Sequence, residues 1–442
     1  MADRYDLILR GGTVVSHGGS AQADIAVQNG RVAAIGNLGS AVSEQVLDLK
    51  GLTVLPGVID SQVHFREPGL THKEDLETGS RAAVMGGVTA VFEMPNTNPL
   101  TTTAELLAEK VALARDRMFC DFAFFVGGTR DNIDQIPMLE QLEGSAGIKV
   151  FMGSSTGSLL VEDEPSLDQI ISKLSRRASF HAEDEERLIS RMGERVSGDP
   201  SSHPVWRDVT AAIMATQRLV KLAETHRKRV HVLHISTADE MAFLGHHKEW
   251  ASVEVTPHHL TLVAPDCYER LGGYAQMNPP VRDAHHQAGL WRGITDGTVD
   301  VLGSDHAPHV REEKEHTYPD SHSGMTGVQT LVPMMLDHVN AGRLSLQRFV
   351  DLTSAGPQRL FGLRGKGRIA VGYDADFTIV DLKRRETITD AWIESRCGWT
   401  PYDGVTVTGW PVGTYVRGSQ VMWQGELADQ AGGAPVRFYD VC

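Results

Sequence analysis

The stretch Val54–Gly69, which reads V-L-P-G-V-I-D-S-Q-V-H-F-R-E-P-G, decides the fold of this 442-residue chain. It begins as an apolar run that can form a fully buried strand. It ends with four polar residues at a spacing of two, namely Asp60, Gln62, His64 and Arg66. Residues at that spacing share one face of a strand. Polar groups that converge at the end of a buried strand are costly unless a ligand or metal uses them.

The alternative is a strand that runs into a solvated loop, and the rest of the chain opposes it. Seven more strand-like runs follow, separated by helical patterns. Together the eight runs lie at 54–60, 88–94, 120–126, 147–152, 178–182, 230–236, 251–257 and 299–305. Strands that alternate with helices predict parallel β/α units, and eight of them predict an α/β fold closed into a (β/α)8 TIM-type barrel.

Both ends of the chain differ from this middle, because they consist of short strands and turns. The runs L-I-L-R-G-G, T-V-V-S-H-G-G and D-I-A-V-Q-N-G-R each end at Gly or Asn-Gly, which predicts tight hairpins. A similar pattern returns near the C-terminus. We therefore predict a small β-domain built from residues 1–53 plus 363–442, and a barrel domain of residues 54–362.

Composition argues against several functional classes. The net charge of −15 argues against a nucleic-acid surface, and no Lys/Arg-rich run opposes that interpretation. No apolar stretch approaches the roughly 18 residues of a membrane span, and the N-terminus has charges where a signal peptide needs an apolar core. The scattered cysteines favour a reduced cytoplasmic protein in which cysteine binds no metal. They are Cys120, Cys267, Cys397 and Cys442.

Five polar residues fall at or just beyond the ends of predicted strands. They are His64, Lys149, His181, His234 and Asp305. A single one is more often a satisfied core group, but five at equivalent positions are hard to assign to chance. Barrel active sites are built at this end of the strands. Imidazole and carboxylate without thiolate predict zinc or a similar divalent ion.

Lys149 and Asp305 each permit two interpretations. A desolvated lysine amine loses its proton and can take up carbon dioxide to give a carbamate that bridges two metals. The alternative is a lysine that extends its amine to solvent. Asp305 could bind a metal and accept a proton from water there, or it could cap a helix after its strand.

The motifs, taken in order, resemble those of the amidohydrolase superfamily, and specifically its dihydroorotase branch. They are H-F-R-E-P-G (64–69), E-M-P-N-T-N-P (93–99), I-K-V-F-M (148–152), H-A-E-D (181–184), H-I-S-T (234–237), N-P-P-V-R (278–282), G-S-D-H-A-P-H (303–309) and G-W-T-P-Y-D-G (398–404). The resemblance covers nearly the whole chain. It implies a (β/α)8 barrel with a small β-sandwich formed by both termini.

The same resemblance implies a zinc enzyme that opens the cyclic amide of dihydroorotate to give N-carbamoyl-aspartate in pyrimidine synthesis. One or two zinc ions would be held by His64, a carbamylated Lys149, His181, His234 and Asp305. Asp305 would also carry the proton to the departing nitrogen. The substrate would be bound by Arg66, Asn96, Asn278 and His309. Arg66 suits the substrate carboxylate because a planar guanidinium matches it in bidentate geometry.

Gln62 departs from the family pattern, whose first motif is H-x-H. An amide oxygen is a weaker zinc ligand than imidazole, so Gln62 as a ligand is doubtful and the number of metals stays open. The bridging group is a second open point, because some relatives use an aspartate there. Asp163 is the nearest spare carboxylate.

Three functions therefore compete. The first is a zinc-dependent dihydroorotase, and the second is a related cyclic amidohydrolase acting on hydantoins, dihydropyrimidines or allantoin. The third is a catalytically silent subunit that scaffolds aspartate transcarbamoylase. Arg66 and Asn96 favour the first, while Gln62 alone favours the third. A small-molecule substrate is expected, and a homodimer and an association with aspartate transcarbamoylase are left open.

Three expectations concern other polar segments. Residues 310–330 form a polar stretch that either closes over a substrate or is a solvated loop. His203 lies in an excursion between barrel strands and is expected at the surface. Of the adjacent pair His258 and His259, one imidazole is expected to point away from the site.

Overall fold

Residues 4–154 and 159–439 are described in a computed structural model of the chain. The strands are β1 (Arg4–Arg10), β2 (Thr13–Ser16), β3 (Gly19–Gln22), β4 (Asp24–Gln28), β5 (Arg31–Gly36), β6 (Val42–Asp48), β7 (Thr53–Pro56), β8 (Val58–Val63), β9 (Val88–Glu93), β10 (Asp121–Gly127), β11 (Ser145–Phe151), β12 (Ala178–His181), β13 (Val230–Val232), β14 (Ala251–Val255), β15 (Val301–Leu302), β16 (Phe377–Thr387), β17 (Thr406–Val416), β18 (Ser419–Trp423) and β19 (Glu426–Leu427). The α-helices are α1 (Leu76–Met85), α2 (Ala104–Ala114), α3 (Ile136–Leu139), α4 (Glu164–Lys173), α5 (Glu185–Ser190), α6 (His203–Trp206), α7 (Val209–Thr225), α8 (Ala238–Gly245), α9 (Pro257–Thr261), α10 (Asp266–Leu271), α11 (Ala284–Asp296), α12 (Arg311–Lys314), α13 (Leu331–Asn340), α14 (Leu346–Val350) and α15 (Gly356–Phe361).

Strands β8 to β15 form one parallel sheet in chain order. A bridge between Val63 and His306 closes it, and the His64 amide donates to the His306 carbonyl at 2.7 Å. Strands β9, β10 and β11 are buried along their whole length. Helices cover the outer face of such a sheet, so its strands are apolar on both sides. The predicted (β/α)8 barrel is confirmed.

Aspartate side chains begin five of the helices that follow the barrel strands. Each carboxylate accepts a backbone N–H of the first turn, which satisfies a donor that the helix itself leaves free. The capping residues are Asp75 for α1, Asp163 for α4, Asp184 for α5, Asp208 for α7 and Asp283 for α11. Losing such a cap costs about 1 kcal/mol.

The two chain ends build two sheets beside the barrel. One has the order β5-β4-β1-β6, and the other has the order β19-β18-β17-β16-β7-β2-β3. The second sheet therefore joins strands from both termini, with β7 between β16 and β2. Residues of both sheets share a core that includes Ile25, Val54 and Phe377. The predicted small β-sandwich formed by both termini is confirmed.

The prediction that residues 54–60 form one barrel strand was wrong, and β13, β14 and β15 are shorter than predicted. The run 54–60 is two strands, because β7 belongs to the sandwich and β8 to the barrel. Gly57 lies between them, packed so closely against Thr89 and Asp376 that a Cβ there would overlap both side chains. Apolar residues on each side of Gly57 are buried, so the sequence gives no polar signal of the break.

The predicted hairpin at Gly11-Gly12 was also wrong. Strand β1 pairs with β4 and β6, while β2 lies in the other sheet. The dipeptide therefore carries the chain from one sheet to the other. By contrast Asn29-Gly30, with φ of 51° and 72°, joins β4 to β5 as a two-residue hairpin.

No helix among the described residues is both long and apolar enough to cross a membrane. Cys120, Cys267 and Cys397 are buried and form no disulfide. Cys442 and residues 1–3 lie outside the described residues.

Candidate active site

A cleft at the carboxyl ends of the barrel strands brings together nine of the ten predicted site residues. They are Gln62, His64, Arg66, Asn96, Lys149, His181, His234, Asn278 and Asp305. The tenth, His309, lies behind the cleft against Arg66. Phe151, Ala307, Ser323 and Gly324 complete the wall. The convergence follows from the barrel, since these polar residues lie near or beyond the carboxyl ends of neighbouring strands, with Gln62, His64 and Arg66 all at the end of β8.

His181 and His234 face each other across neighbouring strands. The distance from His181 Nδ1 to His234 Nε2 is 3.0 Å. Burial lowers the pKa of both imidazoles, so both rings are neutral at pH 7. The other nitrogen of His234, Nδ1, is buried without a hydrogen-bond partner among the described residues. Two neutral imidazole nitrogens that converge in this way fit the ligand chemistry of zinc.

A carboxylate fixes the orientation of the His181 ring from behind. Glu183 Oε2 lies 2.9 Å from His181 Nε2, and Arg207 Nε lies 3.1 Å from both Glu183 oxygens. Burial alone would raise the pKa of Glu183, but Arg207 and His181 hold it well below its usual range. Carboxylates on the outer nitrogen of metal-binding histidines fix the tautomer and the ring position. Sequence reasoning did not assign Glu183 or Arg207.

His64, Gln62 and Asp305 form a second group in the cleft. Asp305 Oδ1 lies 3.2 Å from His64 Nε2 and accepts from Gln62 Nε2 at 3.1 Å. On its other side, His64 Nδ1 lies 2.8 Å from Asn96 Oδ1. The amide oxygen of Gln62 is buried and has no hydrogen-bond partner among the described residues. Gln62 therefore belongs to the group, and its amide oxygen is available as a metal ligand.

Lys149 is buried between the two groups and does not reach solvent, which excludes the interpretation as a solvent-directed lysine. Its Nζ lies 4.1 Å from the centre of the Phe151 ring and 3.5 Å from the Val150 carbonyl. Burial lowers the pKa of the Lys149 amine to about 7, although Asp305 and Glu254 oppose the shift. A substantial fraction of the amine is therefore neutral near pH 7.

The alternative roles of two aspartates are also decided. Asp163 caps α4 and pairs with Arg130 at 2.7 Å, so it lies outside the cleft and bridges nothing there. Asp305 caps no helix, because α12 begins at Arg311 and Val310 precedes it at the cap position.

Three of the cleft residues have left-handed backbone conformations. The φ angles are 64° at Arg66, 37° at His234 and 49° at Asp305. Each such non-glycine residue costs about 1–3 kcal/mol, and it persists only where the surroundings impose it. The barrel thus holds these three side chains in the cleft against a backbone preference.

Arg66 is buried at the other side of the cleft with no ion pair to any carboxylate of the described residues. Its Nε donates to the Pro308 carbonyl at 3.2 Å, and Nη2 lies 3.2 Å from His309 Nε2. Burial lowers the pKa of Arg66 to about 10, which leaves it charged at pH 7. Burial of a charge without a paired carboxylate is unfavourable, although Asp305 and Glu93 at longer range oppose the fall in the pKa of Arg66. An anionic ligand would remove that penalty.

His309 is held between Arg66 and a salt bridge. Its Nδ1 lies 3.2 Å from Lys73 Nζ and 3.1 Å from Glu313 Oε2, and Lys73 pairs with Glu313 at 2.9 Å. His309, Glu313 and His322 are close enough to hold a metal ion. The Lys73 ammonium already lies between His309 and Glu313, so this cluster has its own cation.

The segment 310–330 is structured. Lys314 is buried, and its Nζ donates to the carbonyls of His322 at 2.6 Å and Gly324 at 2.9 Å. These bonds hold Ser323 and Gly324 in the wall of the cleft. The segment is therefore part of the site, and the description as a solvated loop does not apply to it.

The expectation for His203 was wrong. It is buried, and its Nε2 lies 2.9 Å from Asn278 Oδ1, which orients that amide toward the cleft. The segment H-P-V-W-R gives no sign in the sequence that its histidine is buried, whereas α6 packs that histidine inward. Both imidazoles of the pair His258 and His259 are buried outside the cleft, bound to Tyr402 and Thr256.

Two buried carboxylates lie beneath the cleft: Asp60, one of the four residues expected to converge there, and Glu254, which sequence reasoning did not single out. Burial raises the pKa of Asp60 to about 7 and that of Glu254 to about 8. Glu254 accepts from Ser61 Oγ at 3.0 Å and from the His234 amide at 3.3 Å. Asp60 accepts from the Ser304 amide at 2.9 Å. They fix the strand ends from which His234 and Asp305 project.

Comparison with known proteins gives consistent matches. The amidohydrolase family model matches residues 53–421. The dihydroorotase of Methanosarcina acetivorans is 38% identical over 91% of this chain and 88% of its own length. The L-hydantoinase of Paenarthrobacter aurescens is 34% identical over 97% of both chains. Among solved structures, an L-hydantoinase from Arthrobacter aurescens superposes with a TM-score of 0.93 at 32% identity, covering 98% of this chain and 99% of that one.

Proposed function

Because this chain belongs to the amidohydrolase family, we propose that it is a metal-dependent dihydroorotase. The reaction is the reversible hydrolysis of the cyclic amide of L-dihydroorotate to N-carbamoyl-L-aspartate. Several dihydroorotases at 35–38% identity over most of the chain support this assignment. A cytoplasmic location would follow from such a role in pyrimidine synthesis.

The observation that carries the substrate assignment is the buried, unpaired guanidinium of Arg66. Dihydroorotate bears a carboxylate on its ring, whereas unsubstituted hydantoin and dihydropyrimidine rings have none. A carboxylate at Arg66 would pair with the guanidinium in bidentate geometry and relieve its desolvation. The amides of Asn96 and Asn278 would hold the same end of the substrate, and His309 would position Arg66 from behind the cleft.

The donor set fits zinc. We propose that His181 and His234 hold one ion, and that His64, Asp305 and, weakly, Gln62 hold a second. A carbamate on Lys149 would supply the oxygens between them, since the buried amine is partly neutral at pH 7. When bound, the metal makes hydroxide available near neutral pH and polarises the ring carbonyl.

Asp305 is the residue that moves the proton. Hydrolysis breaks the ring C–N bond, leaves a carboxylate on the carbonyl carbon and puts a proton on the departing nitrogen. An Asp305 oxygen would take that proton from the attacking water and hand it to the nitrogen. The contacts from His64 and Gln62 fix Oδ1, so the proton is handled at a defined place.

Hydantoin hydrolysis is the second candidate, because a hydantoinase superposes so closely on this chain. Binding to aspartate transcarbamoylase as a silent scaffold would leave the buried cleft residues without a use. A homodimer or an association of the active enzyme with aspartate transcarbamoylase is compatible with the proposal.

The deciding measurement is hydrolysis of L-dihydroorotate by protein purified with zinc and bicarbonate, followed by loss of the ring's ultraviolet absorbance. Metal-dependent turnover of dihydroorotate exceeding that of hydantoin is expected. Arg66→Met should raise KM for dihydroorotate roughly 30-fold or more, as expected for loss of a buried charged pair. It should leave residual hydantoin turnover within a few-fold. Equal KM in both proteins would refute the carboxylate assignment.

A further inference from the structure

A strongly basic pocket of about 650 Å³ lies at the opposite end of the barrel from the cleft. Seven cationic side chains line it, and no acidic residue does. They are Lys173, Arg176, Arg177, Arg227, Lys228, Arg229 and Arg359. The chain as a whole has a net charge of −15, so this concentration of positive charge runs against its average.

Four of these cations form no ion pair with a carboxylate of the described residues. They are Arg177, Arg227, Lys228 and Arg229. Lys173 pairs with Asp134 at 3.0 Å and Arg359 with Asp351 at 2.7 Å. Burial lowers the pKa of Arg177 to about 10, and the nearby charge of Arg229 adds to the shift. Asp300 opposes that shift, but the four cations without an ion pair still outnumber the carboxylates that pair with the pocket's lining residues.

The pocket is built by the turns that lead into two barrel strands. Residues 173–177 precede β12 and residues 227–229 precede β13. Glu140 fixes the first turn, since its carboxylate accepts from the Ser175 amide at 2.8 Å and the Arg176 amide at 3.1 Å. In the second turn, Lys228 Nζ donates to the Leu174 carbonyl at 2.7 Å and ties the two turns together. These hydrogen bonds fix the backbone of both turns, so the cationic side chains project from a preformed structure.

We propose that this pocket binds a small oligophosphate, either inorganic or as the phosphate tail of a nucleotide. Its volume falls within the range of small-ligand sites. Several guanidinium groups, which donate in planar pairs, match the adjacent oxygens of linked phosphates. A long nucleic acid is disfavoured by the negative charge of the remaining surface. This inference does not depend on the hydrolase reaction.

The test is calorimetric titration of the full chain with tripolyphosphate, with UTP and ATP as parallel ligands. One molecule per chain should bind, and binding should weaken as salt rises. The double variant Arg227→Ser/Arg229→Ser should bind about tenfold more weakly or worse, because it removes two charged donors. If one nucleotide binds more tightly than tripolyphosphate, the natural ligand is a nucleotide. If all three ligands bind equally, the pocket recognises the phosphates alone and the ligand is an inorganic oligophosphate.

The matched control is Arg4→Ser/Arg115→Ser, which removes the same charge from two exposed residues outside the pocket. It should bind tripolyphosphate within about twofold of the parent chain, because it changes net charge but not the pocket. Phosphates also bind metals in the cleft, but that binding would not respond to Arg227 or Arg229. Absence of binding, or equal weakening in both double variants, would overturn the proposal. So would binding of a poly-glutamate peptide without binding of tripolyphosphate.

Discussion

Strands β12 and β13 carry opposite chemistry at their two ends. At the carboxyl ends, His181 and His234 are neutral imidazoles whose Nδ1 and Nε2 atoms lie 3.0 Å apart. At the amino ends, Arg177 and Arg229 are crowded cations without an ion pair among the described residues. About 13 Å separate the ends of a four-residue strand. One pair of strands therefore presents a site for a cation and a site for an anion.

This difference explains why the histidine site can be predicted from the sequence and the basic pocket cannot. The histidines stand at a fixed offset after apolar runs, where polar residues need a reason to be buried. Arg177 and Arg229 stand in turns, where charge is ordinary, and lie more than 50 residues apart in sequence. Only folding shows that their charges converge.

The largest expected effect removes the proposed proton carrier of the cleft. Asp305→Ala should reduce turnover of dihydroorotate by about a thousandfold or more, since both a proposed metal ligand and the proposed general base are lost. The fold should survive, as judged by circular dichroism and thermal unfolding. Asp163→Ala is the matched control, because it removes a carboxylate outside the cleft. It should cost about 1 kcal/mol of stability through its helix cap and leave turnover intact. Retained activity in Asp305→Ala would refute the proton-carrier role.

The cleft itself divides into residues that the sequence predicts and residues that it does not. His64, Lys149 and Asp305 could be predicted because each follows an apolar run that can only be a buried strand. Glu183 and Arg207 could not, since they lie more than 20 residues apart in sequence and charged side chains there are normally solvated. Their function depends on the contact of Arg207, at the end of α6, with Glu183, just after β12, which no local pattern encodes. The break between β7 and β8 at Gly57 could not be predicted for a related reason. The residues on both sides of Gly57 are buried and apolar, so the sequence shows no change where the chain passes from one sheet to the other.

An intermediate effect tests whether Glu183 acts through His181. Glu183→Gln keeps the shape but removes the charge that binds Arg207 and orients the imidazole. Zinc affinity should fall about 10–100-fold, the usual loss when such an orienting carboxylate is replaced. Zinc retained after dialysis against a graded chelator measures this directly, without reference to turnover. Unchanged zinc retention would mean that the carboxylate serves only to anchor Arg207. The oligophosphate affinity at the other end of β12 should not change in this variant.

The smallest effect concerns the position where the cleft departs from the family pattern. Gln62→His replaces an amide, whose free oxygen is a weak ligand, by an imidazole beside Asp305. Zinc bound per chain should rise toward two, and affinity at the weaker position should rise about tenfold, because imidazole is the stronger donor. The measurement is zinc content after equilibrium dialysis at several free zinc concentrations. Gln62→Leu is the control, since it fills the same space without a donor and should hold less zinc than the parent. If Gln62→His and Gln62→Leu bind zinc equally, Gln62 takes no part in metal binding, and the ion proposed beside it depends on His64 and Asp305 alone.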